Sequence, residues 1–296
     1  VTPVPGVQAR ALPTPRTEPR DGTTTGSRAP ASIADRALAR ELWGADHPYG
    51  HPSDGTSEDI NRLEVDALQE WWGSFVRPES ATLYVAGDVT PEEAKTIANE
   101  YLGAWEVEGD ATDVRVSPMK PPKSTRIVLV DQPGAIQSEI RVGHEGIDRM
   151  NELHPASVVL SQVWGGSFGS RLNDSLRVEK GLTYGAGGGL RTARFGGSFT
   201  ARTFTKTPTT AETVQALIDE VRRMQDDPAT EKELEDAKSY VAGSFAGTLE
   251  TPQAVSGRLW TLELMDLPPD YWNRYLKGIS STSAENLARA ANELMD

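Results

Sequence analysis

Cysteine is absent from the 296-residue chain, which rules out disulfides, thiolate zinc ribbons and a thiol nucleophile together, while leaving every redox compartment open. Long apolar runs are absent too. No stretch reaches the about eighteen residues that a spanning helix needs. The N-terminus lacks the basic-then-apolar order of a secretory signal, which a mature chain would in any case have lost. A soluble protein of cytoplasm, periplasm or exterior fits equally. Basic residues are in deficit: 30 Lys and Arg face 43 Asp and Glu, a net charge of -13. That balance excludes the clustered positive footprint of a nucleic-acid binder and favours cationic or unfolded peptides as partners. Histidine is scarce, at four.

What is present is apolar material in periodic patterns, enough at this length for one large domain or two smaller ones. Residues 1–30 mix Pro and Gly with a Thr23-Thr24-Thr25 run and read as a linker or tail. Ser32 is placed to cap a helix ending at Trp43, which Gly44 and His47-Pro48-Tyr49-Gly50-His51-Pro52 break. Helix over 57–75, interrupted near Leu63, is followed by a strand over 81–87. Thr90-Pro91-Glu92-Glu93 is a capping box with proline at the first helical position. The helix it starts places Ala94, Ile97, Ala98, Tyr101 and Leu102 on one face. A Pro-rich connector at 118–123 marks the domain boundary. Beyond it, strands are predicted over 127–130 and 136–142, joined around Pro133-Gly134. The segment 154–164 is apolar nearly all round, as a buried helix should be.

After Tyr184 comes a Gly- and Thr-rich pair of strands to about Lys206, whose open backbone offers an edge to an added peptide strand. Two apolar stripes then signal helices: Val214, Leu217, Ile218 and Val221, and, behind a Thr230 to Glu233 box, Leu234, Ala237, Val241 and Phe245. Trp71, Trp72, Trp260 and Trp272 fall in helical stretches and are assigned to core or interdomain packing. Strands followed by segregated helices give an α+β class.

The densest stretch runs from Gly165 to Ala186. A glycine-rich loop, Gly165-Gly166-Ser167-Phe168-Gly169, opens a short helix that Ser170 can cap. Leu172 and Leu176 give this helix an apolar stripe, and Gly181 supplies a left-handed stop. Arg177 is then in the last turn and Tyr184 begins the next element. The loop lacks the lysine and spacing of a P-loop, which excludes the usual nucleotide cradle. In isolation, Arg177 reads as a cation satisfying a helix C-terminus and Tyr184 as a strand residue.

Taken together, Gly-Gly-x-Phe-x-Ser-Arg-Leu followed by Leu-Arg-x-x-Lys-Gly-Leu-x-Tyr resembles the second homologous domain of the pitrilysin/insulinase (M16) zinc peptidases, among them short bacterial members and relatives of mitochondrial processing peptidase. A weak internal repeat agrees: 60–86 and 279–296 both run from a short helix end into a helix start, the second copy lacking its strand. The resemblance implies a metallohydrolase-like fold, a mostly antiparallel sheet covered by helices. It assigns 31–117 to the C-terminal part of a first domain and 118–296 to a second domain lacking its last strand.

Zinc in this family is held by His-x-x-Glu-His, two histidines on one helical face with the glutamate as general base, and by a later glutamate. None of His47, His51, His144 and His154 begins such a motif. His47 and His51 are four apart, but Pro48 and Gly50 between them favour a turn. His144 ends a strand without a second histidine. Glu18, near where the later ligand would fall, sits beside Pro19 in unhelical sequence and is not assigned. No metal ligand or other cofactor is therefore expected in this chain, and zinc is expected on a partner chain or a further domain. The resemblance makes Arg177 and Tyr184 the catalytic pair of the zinc-free half, donors that hold substrate and steady the oxyanion at the partner's zinc site. Gly165, Gly166, Ser167 and Phe168 join them as substrate-binding residues for an unstructured peptide. Such a chain is inactive alone and involves neither nucleic acid nor membrane. The alternative within the same fold is a non-catalytic scaffold or assembly subunit.

Overall fold

The computed structural model describes residues 29–295 apart from 110, 111, 113, 121 and 123. The expected tail up to residue 28, Glu18 within it, and part of the 118–123 connector lie outside the described residues. Helix α1 (Pro30–Trp43) begins with Pro30 in the first turn behind Ala29, so Ser32 is already helical and caps nothing. Gly44, at φ 84°, ends it. His47 then starts a short 3-10 turn, its Nδ1 accepting the Tyr49 N–H at 3.0 Å. The predicted turn role for this histidine is what the fold uses.

Helices α2 (Ser57–Arg62) and α3 (Val65–Phe75) are separate, because Leu63 turns to extended backbone between them. Helix α4 (Pro91–Leu102) carries the predicted capping box of Thr90 and Glu93. Its apolar face is exposed, however, with Ile97, Tyr101 and Leu102 all open to solvent. The stretches 81–87 and 127–130, predicted as strands, pair with no strand among the described residues. An alternating sequence can favour extended backbone, but a strand needs a neighbour to bond its N–H and C=O groups. Ile127 and Leu129 stay 87% and 90% exposed as a result. Between residues 57 and 135, the buried residues among those described are Arg77 and Met119.

The core forms beyond this region. Strand β1 (Gln137–Glu145), helix α5 (His154–Trp164), strand β2 (Ala186–Ala193) and strand β3 (Gly196–Lys206) come first. Helices α6 (Thr210–Asp226), α7 (Glu231–Gly247), α8 (Pro252–Leu264), α9 (Tyr271–Ser281) and α10 (Ala284–Leu294) follow. The strands form a three-stranded antiparallel sheet in the order β1-β3-β2. Along β3 alternate residues are buried, so Phe199, Ala201, Thr203 and Thr205 face the helices while Thr200, Arg202 and Phe204 face outward.

On the inner face, Val159, Leu160, Val163 and Trp164 of α5 join Phe199, Leu217, Met224, Ile279 and Leu287 in one cluster. Gly188 lets Trp164 approach: a Cβ there would lie 2.9 Å from the indole and 2.4 Å from the Thr200 carbonyl oxygen. On the outer face, α1 crosses β1, with Leu38 against Gly143 and Trp43 against Gly196. The packing assigned to the tryptophans holds for Trp272, which joins Tyr271, Tyr275 and Phe245. Trp71 and Trp260 are not part of the core: both are exposed, on helices without a buried residue.

Candidate functional site

The glycine-rich loop leaves the buried end of α5 and passes beside the outer edge of β2. Gly165 is fixed there, its carbonyl accepting the Gly188 N–H at 3.1 Å, and a side chain at Gly165 would collide with that strand. A single α-turn, Arg171–Asn173, then runs into a π-helical turn, Asp174–Glu179. Ser170 occupies the cap position, but its hydroxyl makes no capping bond and is buried without a partner. Burial of both Leu172 and Leu176 agrees with the predicted stripe. The wider π turn, closed by Lys180 N–H to the Ser175 carbonyl, adds a residue to the turn that carries Arg177. Gly181 takes φ 61°, the left-handed stop its type predicted.

Arg177 places its guanidinium 4.1 Å over the Phe168 ring. Gly165, Gly166, Ser167, Phe168 and Tyr184 line one outward-facing cavity of about 580 Å³. Arg177 is outside that lining and joins it through Phe168. Tyr184 is 82% exposed, and no described residue bonds its hydroxyl. Five of the six predicted site residues thus meet at one cavity, with Arg177 at its rim.

Sequence reasoning missed the residues that brace this corner. Asn173 is buried and bonds both ways: its amide donates to the Phe168 carbonyl at 2.6 Å, and its Oδ1 accepts the Ala186 N–H at 3.2 Å. It ties the loop to the start of β2, and so fixes the strand end from which Tyr184 projects. Arg171 is buried and forked onto Glu233 at 2.6 and 2.8 Å, and it also donates to the Asp227 and Pro228 carbonyls. The bond from Arg171 holds the Glu233 carboxyl down at about 2, and the capping bonds from Thr230 act in the same direction. Both residues lie in the motif stretch; nothing in their spacing named their partners.

The edge expected to accept a peptide strand is closed. The outward N–H groups of Ala186, Gly188 and Leu190 donate to Asn173 Oδ1, Gly165 O and Ser161 Oγ. β3 is paired on both sides.

Nor do the histidines converge on a metal. His51 Nε2 meets the Ala45 carbonyl, His144 stacks on Phe199, and His154 is buried against Tyr275. With His47 committed to its turn, these donor sets do not fit a zinc site, and among the described residues no group of three or more His, Asp or Glu side chains is placed to hold a metal.

A family model described as "Peptidase M16 inactive domain" matches residues 62–241. The chain belongs to that family. Among its M16 relatives, "Uncharacterized zinc protease YmxG" of Bacillus subtilis is 27% identical over 80% of this chain and 56% of its own length. "Probable inactive metalloprotease YmfF" of the same organism is 20% identical, over 83% of this chain and 57% of its own. The chain therefore spans little more than half the length of these curated relatives. The crystal structure of a peptidase M16 inactive domain from Pseudomonas fluorescens superposes with a TM-score of 0.82 at 25% identity, covering 93% of this chain and 65% of that one. The mixed architecture of helices around a small antiparallel sheet is that of the M16 inactive domain. No helix among the described residues is long and apolar enough to cross a membrane.

Proposed function

We propose that this chain is the zinc-free, substrate-binding half of a pitrilysin-family metallopeptidase. It holds an unstructured peptide across its outer-face cavity, and it presents Tyr184 and Arg177 to a zinc site carried by another domain or a partner chain. The observation that carries this reading is the position of Tyr184: a phenol on the rim of a cavity floored by glycine backbone, with its hydroxyl free among the described residues. A buried structural tyrosine normally finds a partner for that hydroxyl. Because the β2 donors are engaged, the peptide lies over the sheet face instead of adding to that edge. The zinc, on the other component, supplies an activated water. This chain's own part is to orient the peptide and to donate hydrogen bonds where negative charge develops.

Reconstitution with a zinc-bearing M16 chain tests the reading. Tyr184→Phe should lower kcat on the order of 10²-fold without changing thermal stability, the effect of removing one oxyanion donor. Arg177→Lys should raise KM, since an ammonium cannot reproduce the planar fork. If both variants keep wild-type kcat and KM, the pair is structural. The second reading, a scaffold or assembly subunit, would then hold; it is favoured by the exposed apolar residues Leu83, Ile97, Ile127 and Leu129, which offer surface to another protein.

A further inference from the structure

The cavity holds two arginines in one cross-strand row, with opposite fates. Register puts Arg202 of β3 directly between Arg141 of β1 and Gly187 of β2, all on the outer face. Like charges directly opposite one another in a sheet are unfavourable unless neutralised. Arg141 is neutralised twice over. Its side chain is 9% exposed, it donates to Asp35 at 2.5 Å and Glu139 at 2.9 Å, and it reaches the carbonyls of Ile140, Thr203 and Ala31. Each of these carboxylates is held by Arg141 through one oxygen, and Glu139 also lines the cavity.

Arg202 is exposed, lines the same cavity, and has no ion pair or hydrogen bond among the described residues. On its other side Gly187 contributes no side chain, so the space beside the guanidinium is open. Phe168, Phe204 and Tyr184 line the cavity and give a bound group aromatic faces to pack on. An unpaired planar fork in a concave site with aromatic walls is suited to a carboxylate, which it can bind bidentately.

We infer that Arg202 gives this cavity a preference for peptides bearing a carboxylate, which its guanidinium receives beside Tyr184. The inference rests on the reading that the cavity holds a peptide, and it names the class of peptide. It runs against the charge of the whole chain, which favours cationic partners at long range. At contact distance the unpaired arginine decides, because the nearby carboxylates are already bonded to Arg141. The carboxylate has two sources, an acidic side chain or the free C-terminus of the peptide.

The test is fluorescence anisotropy of the full chain with four labelled flexible peptides of equal length. One has a central Glu and an amidated end, one has Gln and a free C-terminus, one has both carboxylates, and one has neither. Wild-type chain should bind at least one carboxylate peptide about tenfold or more tightly than the uncharged one, the range for a charge-assisted hydrogen bond. The preference should shrink as salt rises. Which single-carboxylate peptide shows it identifies the source.

Arg202→Gln should abolish the preference, Arg202→Lys should retain part of it, and Arg191→Gln, an exposed arginine of β2 outside the cavity lining, should leave it intact. If all four peptides bind equally, or if Arg202→Gln keeps the preference, the carboxylate assignment is overturned while peptide binding stands. If none of the four binds, the peptide-binding reading falls and this inference with it.

Discussion

Tyr184 and His154 are opposites in exposure, and each position has its own consequence. The Tyr184 hydroxyl is open to whatever enters the cavity. His154, at the start of α5, is buried with both ring nitrogens unpartnered, and burial, reinforced by Arg149, pushes its pKa down to about 4. Its folded pKa lies below the unfolded value, so between pH 6.5 and about 4 the unfolded chain binds a proton that the folded chain does not. Stability must then rise with pH across that window and fall as the solution is acidified. From pH 7 to pH 5 the loss should be about 2 kcal/mol by linkage. Urea unfolding at the two pH values measures it, and His154→Leu should flatten the difference. Equal losses in wild type and variant would assign the acid sensitivity to other groups. Glu233 adds a loss of the same sign only at lower pH, as its carboxylate protonates between about 4.5 and about 2.

At the scale of the element, the two edges of the sheet differ in a way that can be measured amide by amide. Along β2 the outward donors of Ala186, Gly188 and Leu190 are engaged. Just outside β1, the Ile136 carbonyl accepts the Thr207 N–H and the Gly146 N–H donates to the Gly197 carbonyl, so the even-numbered positions bond toward β3 and 137, 139, 141, 143 and 145 point their N–H groups away from it. No described residue accepts from those donors. Hydrogen exchange resolved by residue should therefore alternate along β1, fast at odd positions and slow at even ones, while β2 is protected from Ala186 to Arg191. Uniform protection of β1 would mean that another segment covers its edge.

The same contrast explains what the sequence could and could not reveal. Devices that act within a few residues were legible, such as the capping boxes at Thr90 and Thr230, the stop at Gly181 and the all-round apolar α5. The cavity was legible as a motif, since Gly165 to Phe168 and Tyr184 lie close in sequence and meet in space. What depends on distant partners was not. The 81–87 and 127–130 runs have strand character and no strand beside them among the described residues, and Ser170 has a capping side chain turned into the interior. The Arg141–Arg202 juxtaposition exists only once the register of β1 on β3 is fixed.

At the scale of the whole molecule, burial is divided unevenly along the chain. Every member of the main core cluster lies at or beyond Ile140, whereas the described residues of 57–135 bury only Arg77 and Met119. The earlier segment meets α8 through polar contacts, Thr82 and Tyr84 with Glu263 at 3.1 and 3.2 Å, while the bonds of Arg77 to the 108 and 109 carbonyls stay within it. Helix α1, earlier still in the chain, is attached to the far block by the Asp35–Arg141 pair and the packing of Leu38 and Trp43. Segments with few buried contacts open at low free energy, and proteases cut the opened form. Brief trypsin treatment should therefore nick the chain between residues 57 and 135 well before any cut within β1, α5, β2, β3 or α6, the elements that carry most of the core. The two pieces should then elute together from a gel-filtration column and part only in denaturant, because α1 remains clasped to a sheet to which it is no longer covalently joined.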